Sequence, residues 1–131
     1  DWGHRLIYLL MIAAPLGGRV QFRGYVKQLR DIWAENHLMV SPAIEDGVPM
    51  TIPEAMLCQR PVLAICVGGA EDWLEHGRTG FLCHTRDAAA LAATLREAFA
   101  ARNRWETMGR AAASAANARY LPADYLKLLV S

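Results

Sequence analysis

Three short runs in this sequence carry apolar residues without polar alternation: His37-Leu-Met-Val-Ser41, Val62-Leu-Ala-Ile-Cys-Val67 and Phe81-Leu-Cys83. A strand wetted on one face alternates polar and apolar side chains, and a strand covered on both faces does not. The segments between these runs have helical spacing or helical punctuation. Val26 to Asn36 places Val26, Leu29, Ile32 and Trp33 on one helical stripe. A brief helix is expected over Glu54 to Cys58, and Gly68-Gly69 turns the chain into another at Glu71 to Glu75. His76-Gly-Arg-Thr-Gly80 is a turn by its glycines. Asp87 is a good N-cap for a helix over Ala88 to Arg102. An alanine-rich helix follows over Arg104 to Tyr120, and Pro122 suits the first turn of a last helix running to Val130. Strands that alternate with helices imply a parallel sheet with helices on both faces, an α/β, Rossmann-like, doubly wound fold. Arg19 to Gly24 alternates apolar and polar residues, so Val20 to Arg23 is expected as a further short strand. Leu6 to Leu16 is too short to span a bilayer and is expected as a buried helix ending near Pro15.

With 131 residues, the chain has room for one domain, and one of this size needs no disulfide or metal to fold. Fourteen Lys plus Arg against thirteen Asp plus Glu leave a net charge of +1, too little basic excess for a dedicated nucleic-acid surface. Cys58, Cys66 and Cys83 form no Cys-x-x-Cys pair, and the four histidines show no His-Glu-x-x-His spacing. Free thiols in a reducing cytoplasm are expected, with no metal site and no cofactor.

In open parallel sheets, ligands sit beyond the carboxyl ends of the strands. Two loops qualify, Pro42 to Pro53 and Val67 to Ala70. The first sets Asp46-Gly47 eight positions before Glu54. An acid and a glycine leading into a helix can offer a carboxylate and backbone N–H donors to one polyhydroxylated, phosphate-bearing ligand. The same spacing equally suits a solvated loop with Glu54 at a helix start.

The order of motifs carries more than their spacing. Glu45-Asp-Gly-Val-Pro-Met-Thr-Ile-Pro-Glu-Ala-Met-Leu-Cys-Gln-Arg-Pro-Val62, then Val67-Gly-Gly69, then Glu75-His-Gly-Arg-Thr-Gly-Phe-Leu82, resembles the donor-binding half of family 4 glycosyltransferases. The resemblance covers about Val20 to Gly109. It implies a GT-B fold, two Rossmann-like domains facing a cleft, of which this chain is the C-terminal one. It implies retaining transfer of a sugar from a nucleotide-sugar donor, a UDP- or GDP-sugar, to an acceptor hydroxyl. By position, Glu54 matches the acid that bonds the donor ribose, and Asp46 the acid that contacts the transferred sugar. The amides of Gly47, Val48, Pro49 and Met50 match the loop at the sugar and diphosphate, and Gly68 and Gly69 a turn close to the nucleotide. No residue matches a general base, and the departing diphosphate is expected to help take the acceptor proton.

The chain departs from the family pattern at several positions. Asp46 stands for the usual Glu, Ala43 for Ser, Gln59 for Gly, Cys66 for Asp and Asp72 for Glu. The family's Arg and Lys that neutralise the diphosphate have no match, since Arg5 and Arg19 lie in other segments. The chain is therefore expected to be a fragment lacking the first strand and the N-terminal acceptor domain. Alone it is expected to be inactive, to expose apolar surface and to self-associate, and to reside in the cytoplasm, including its membrane face. The alternative is a non-catalytic sugar-nucleotide-binding or interaction module. A dinucleotide oxidoreductase would require a Gly-x-Gly-x-x-Gly after a strand, which is absent.

Overall fold

The structure, a computed structural model, describes residues 19–45, 47 and 50–119. The helices expected over Leu6–Leu16 and Pro122–Val130 lie outside the described residues. The elements run α1 (Leu29–Glu35), β1 (Met39–Ser41), α2 (Thr51–Leu57), β2 (Val62–Ile65), α3 (Ala70–Trp73), β3 (Gly80–Cys83) and α4 (Ala88–Ala100). A 3-10 turn (Arg102–Arg104) then leads into α5 (Trp105–Arg119). The strands form one parallel sheet in the order β1-β2-β3. Met39 lies opposite Val62, and Leu63 opposite Phe81. Both crossovers carry a helix, as parallel neighbours require.

Every residue of β2 and β3 is buried, which explains why their sequences lack polar alternation. Val62, Ala64 and Leu82 share one face with Ile52, Ala55 and Met56 of α2, Ala70 and Leu74, and Ala112 and Ala116 of α5. Leu63 and Phe81 point to the other face, where Ala98 of α4 and Met108 pack. Side chains alternate between faces along a strand, so two helical layers are needed to cover the sheet. Fully buried aliphatic and aromatic side chains such as Ile52, Met56 and Phe81 each contribute about 1.5–3 kcal/mol relative to exposure.

Two backbone approaches fix how tightly these layers meet. A Cβ on Gly80 would collide with the Val62 carbonyl oxygen, so β3 can lie this close to β2 only with glycine at its start. A Cβ on Gly109 would collide with the Gln59 carbonyl oxygen, which lets α5 rest directly on the turn after α2. That turn is a Schellman motif: Gln59 N–H donates to the Met56 carbonyl and Arg60 N–H to the Ala55 carbonyl, each at 2.9 Å. Its left-handed residue is Gln59, with φ of 58°. Arg60 then ties the turn to α1, its Nε donating to the Trp33 carbonyl at 2.6 Å.

Several expectations need correction. Val20 to Arg23 is not a strand: Val20 and Phe22 are 40% and 53% exposed, and among the described residues the ladders join only β1 to β2 and β2 to β3. Alternation over four residues does not by itself supply a pairing edge. Helix α1 begins at Leu29, leaving Val26 in the preceding coil. Helix α2 begins at Thr51, three residues before Glu54, because Pro53 sits in the first turn, where its missing N–H costs nothing. Strand β2 stops at Ile65, where Val67 N–H folds back onto the Ile65 carbonyl at 2.8 Å. The capping expectation holds: Asp87 accepts from Ala90 N–H at 2.7 Å at the start of α4.

Candidate functional site

Because the strands are parallel, Ser41, Ile65 and Cys83 end on one edge of the sheet. The chain leaves that edge twice to enter helices, through residues 42–50 into α2 and through Cys66 to Gly69 into α3. The N-terminal turns of α2 and α3 therefore share the carboxyl edge. Among the candidate residues, this brings Met50, Glu54, Gly68 and Gly69 together. Gly47 is exposed in the first loop with open space around it. Asp46, Val48 and Pro49 lie outside the described residues.

Glu54 is half-buried on the first turn of α2, and its side chain makes no hydrogen bond to another described residue. Burial pushes its carboxyl above the usual carboxylate range. A helix start favours a carboxylate charge through the helix dipole, but partial removal from water sets the direction here. One turn on, burial also raises the Cys58 thiol, opposed by Arg60 and assisted by the Glu54 charge. A desolvated carboxylate with no hydrogen bond from another described residue is a strong acceptor for a ligand hydroxyl.

Gly68 and Gly69 both adopt left-handed backbone, with φ of 59° and 79°. Two such residues in succession are accessible at low cost only to glycine. The turn is closed by Ala70 N–H on the Val67 carbonyl at 3.1 Å and by Asp72 N–H on the Gly69 carbonyl at 2.9 Å. Beside it, burial first and then the bond and charge of Glu71 push the Cys66 thiol up to about 11. Cys66 therefore stays a thiol, not a thiolate nucleophile.

Other features of the structure were not legible in the sequence. The Arg119 guanidinium lies over the Trp73 ring at 5.0 Å and 3.8 Å from Asp72, joining the end of α5 to α3. On the opposite, amino edge of the sheet, a hollow of about 450 Å³ is lined by His37, Gln59, Arg60, Arg102, Trp105 and Glu106. Its residues are scattered through the sequence and meet only because β1, β2 and the α4–α5 junction converge there. Among the described residues, no helix is long and apolar enough to cross a membrane.

A family model described as glycosyl transferases group 1 matches residues 5–101. The D-inositol 3-phosphate glycosyltransferase of Streptomyces avermitilis is 39% identical over 114 residues, covering 80% of this chain and 24% of that protein. The chain thus spans about a quarter of that relative's length. Among solved structures, sucrose-phosphate synthase from Thermosynechococcus elongatus is 28% identical with a TM-score of 0.80, covering 90% of this chain and 30% of that one. The Anabaena protein HepE, in complex with UDP and glucose, is 26% identical with a TM-score of 0.78, covering 97% and 36% respectively.

Proposed function

Because the chain belongs to the group 1 glycosyl transferases, with the Rossmann-like α/β architecture of a GT-B C-terminal domain, we propose that its carboxyl edge binds the nucleotide-sugar donor for sugar transfer. The observation that carries this reading is Glu54, half-buried and without a side-chain hydrogen bond among the described residues, at the same sheet edge as the left-handed Gly68-Gly69 turn. HepE is a structural neighbour in complex with UDP and glucose and also with UDP-glucose, which favours a uridine donor.

In this reading, Glu54 accepts from the ribose hydroxyls and Asp46 from the sugar. The backbone N–H groups of Gly47, Val48 and Met50 serve the sugar and diphosphate, and Gly68-Gly69 lets the backbone approach the nucleotide. Transfer proceeds with retention by front-face displacement. The bond from the anomeric carbon to the diphosphate breaks as the acceptor oxygen bonds on the same face, and the acceptor proton passes to the departing diphosphate. The domain's share is to hold the donor and orient its anomeric carbon, while a companion acceptor domain supplies the second substrate. Of the departures from the family pattern, Gln59 lies at the amino edge and bears on a turn, while Ala43, Asp46, Cys66 and Asp72 belong to the two connections at the carboxyl edge.

Calorimetric titration of the chain with UDP, GDP and UDP-glucose tests the binding step. Saturable binding of a uridine nucleotide that Glu54→Gln weakens is the expected result. Failure of every nucleotide to bind, or affinity indifferent to Glu54→Gln, would overturn the assignment. Transfer itself is assayed on the intact protein with its acceptor domain.

A further inference from the structure

We propose that His76 closes the outer edge of the sheet as a neutral imidazole protonated on Nε2, and that a second proton on this ring opens that edge. Among the described residues, strand β3 forms a ladder only with β2, and its outer side carries a single isolated bridge, from Gly80 to His76. The Cys83 carbonyl accepts from Cys66 N–H at 2.9 Å, so the backbone groups of Phe81 and Cys83 face β2 and those of Gly80 and Leu82 face away. A strand edge left this way offers N–H and C=O groups to any passing strand.

The turn before β3 folds back over these groups. Gly77 N–H donates to the Gly80 carbonyl at 2.8 Å, and Leu82 N–H donates to His76 Nδ1 at 3.0 Å. The imidazole thus stands where a neighbouring strand would present a carbonyl. Its other nitrogen, Nε2, lies 2.9 Å from Glu97 Oε1 on α4. A nitrogen that accepts a hydrogen bond carries no proton, so the ring's one proton must sit on Nε2 and point at the carboxylate. The Phe81 ring meets the imidazole edge-on, with centroids 5.9 Å apart, and holds its plane. Thr79 is buried and its Oγ1 accepts from Glu75 N–H at 2.8 Å, so the turn beneath the ring is fixed.

A second proton can enter only at Nδ1, where it faces the Leu82 N–H and ends that bond. The charged groups around the ring are Glu97 of α4 and, within its own turn, Glu75 and Arg78, which pair with each other at 2.6 Å. From β3 the ring meets Phe81, which does not titrate. Both partners of the His76–Glu97 pair are largely exposed, so solvent screens what the new charge gains. The Leu82 N–H is partly buried and has no alternative acceptor among the described residues. Leaving it unpaired is the larger effect.

The test is ¹⁵N NMR of the imidazole in the full chain, together with hydrogen exchange at the Leu82 amide. Near pH 8 the expected signals are an unprotonated Nδ1 and a protonated Nε2. As pH is lowered from there, the protection factor of Leu82 is expected to fall about tenfold, as a local opening that leaves the core protected. In His76→Gln the amide oxygen can still accept from Leu82, and this pH dependence should vanish. A protonated Nδ1 near pH 8, or Leu82 protection that does not change with pH in the parent chain, overturns the proposal. Both measurements are made on the parent, so they decide even if His76→Gln does not fold.

Discussion

Gly109→Ala sets two opposing effects against each other, and their magnitudes decide the outcome. In an unencumbered helix interior, alanine is favoured over glycine by about 1 kcal/mol. At position 109 the added Cβ would meet the Gln59 backbone, standing 2.8 Å from its carbonyl carbon and closer still to its oxygen. Ordinary carbon contacts lie near 3.5 Å, so α5 must withdraw by about 0.7 Å or more. Both parties are backbone, and no rotamer change relieves the contact. The same helix carries Met108, Ala112 and Ala116 into the core, and a gap of that size forfeits about a quarter to a half of each contact. Overpacking of this kind costs about 1–3 kcal/mol. After the propensity gain, a net loss of up to about 2 kcal/mol remains, a Tm lower by up to about 8 °C for a domain of this size. Urea unfolding and thermal melts would measure it, with Ala93→Gly on the exposed face of α4 as the propensity calibrator, expected to cost about 1 kcal/mol. If Gly109→Ala raised the Tm, the close approach of α5 to the Gln59 turn would be refuted.

Glu54→Gln is expected to weaken uridine nucleotide binding by about 1–3 kcal/mol in calorimetry, whereas Asp46→Asn should spare UDP and weaken only UDP-glucose. The folded carboxyl of Glu54 is raised, so the folded chain binds more protons than the unfolded one between the two pKa values. Stability falls as pH rises through that window, and the Tm of Glu54→Gln should exceed the parent's above it and converge with it below. Asp87 behaves oppositely: the Ala90 N–H holds its carboxyl below the usual range, so its contribution is present above the unfolded value and is lost as pH falls through the folded one. Asp87→Asn should keep the cap but remove that acid-side loss in melts followed by circular dichroism. Gln59→Gly removes about 1 kcal/mol of left-handed strain and adds about 0.5 kcal/mol of unfolded-chain freedom. A small rise in urea midpoint is expected, and a fall would show that the glutamine side chain compensates for its backbone.

The sheet could be located from sequence because burial on both faces writes itself as an uninterrupted apolar run, as at Val62 to Ile65. The start of α4 was legible for a local reason too, since Asp87 bonds an N–H three residues away. Pro53 misled because proline reads as a stop, while the first turn of a helix accepts it, and so α2 began earlier than expected. Val20 to Arg23 misled because a strand is defined by its neighbour and alternation describes only one partner. For Glu54, position along the chain suggested a favoured charge, but solvent exposure, which depends on the whole packing of α2, set the opposite direction. His76 was visible only as part of a glycine turn. Its role rests on groups six and twenty-one residues away that no local pattern reveals.

The Gln59 turn has a consequence for how this domain can be varied. Its hydrogen bonds, its contact with Gly109 and its Arg60 tie to Trp33 all belong to the amino edge, on the far side of the sheet from Glu54 and Gly68-Gly69. Substitutions there are screened by whether the chain folds, while those at the carboxyl edge, under the proposed function, are screened by whether the donor is held. A library selected only for expression or melting temperature would thus lose most changes at the buried positions 55, 56 and 109. It would favour Glu54→Gln, because the variant expected to bind worst is also expected to be the more stable one.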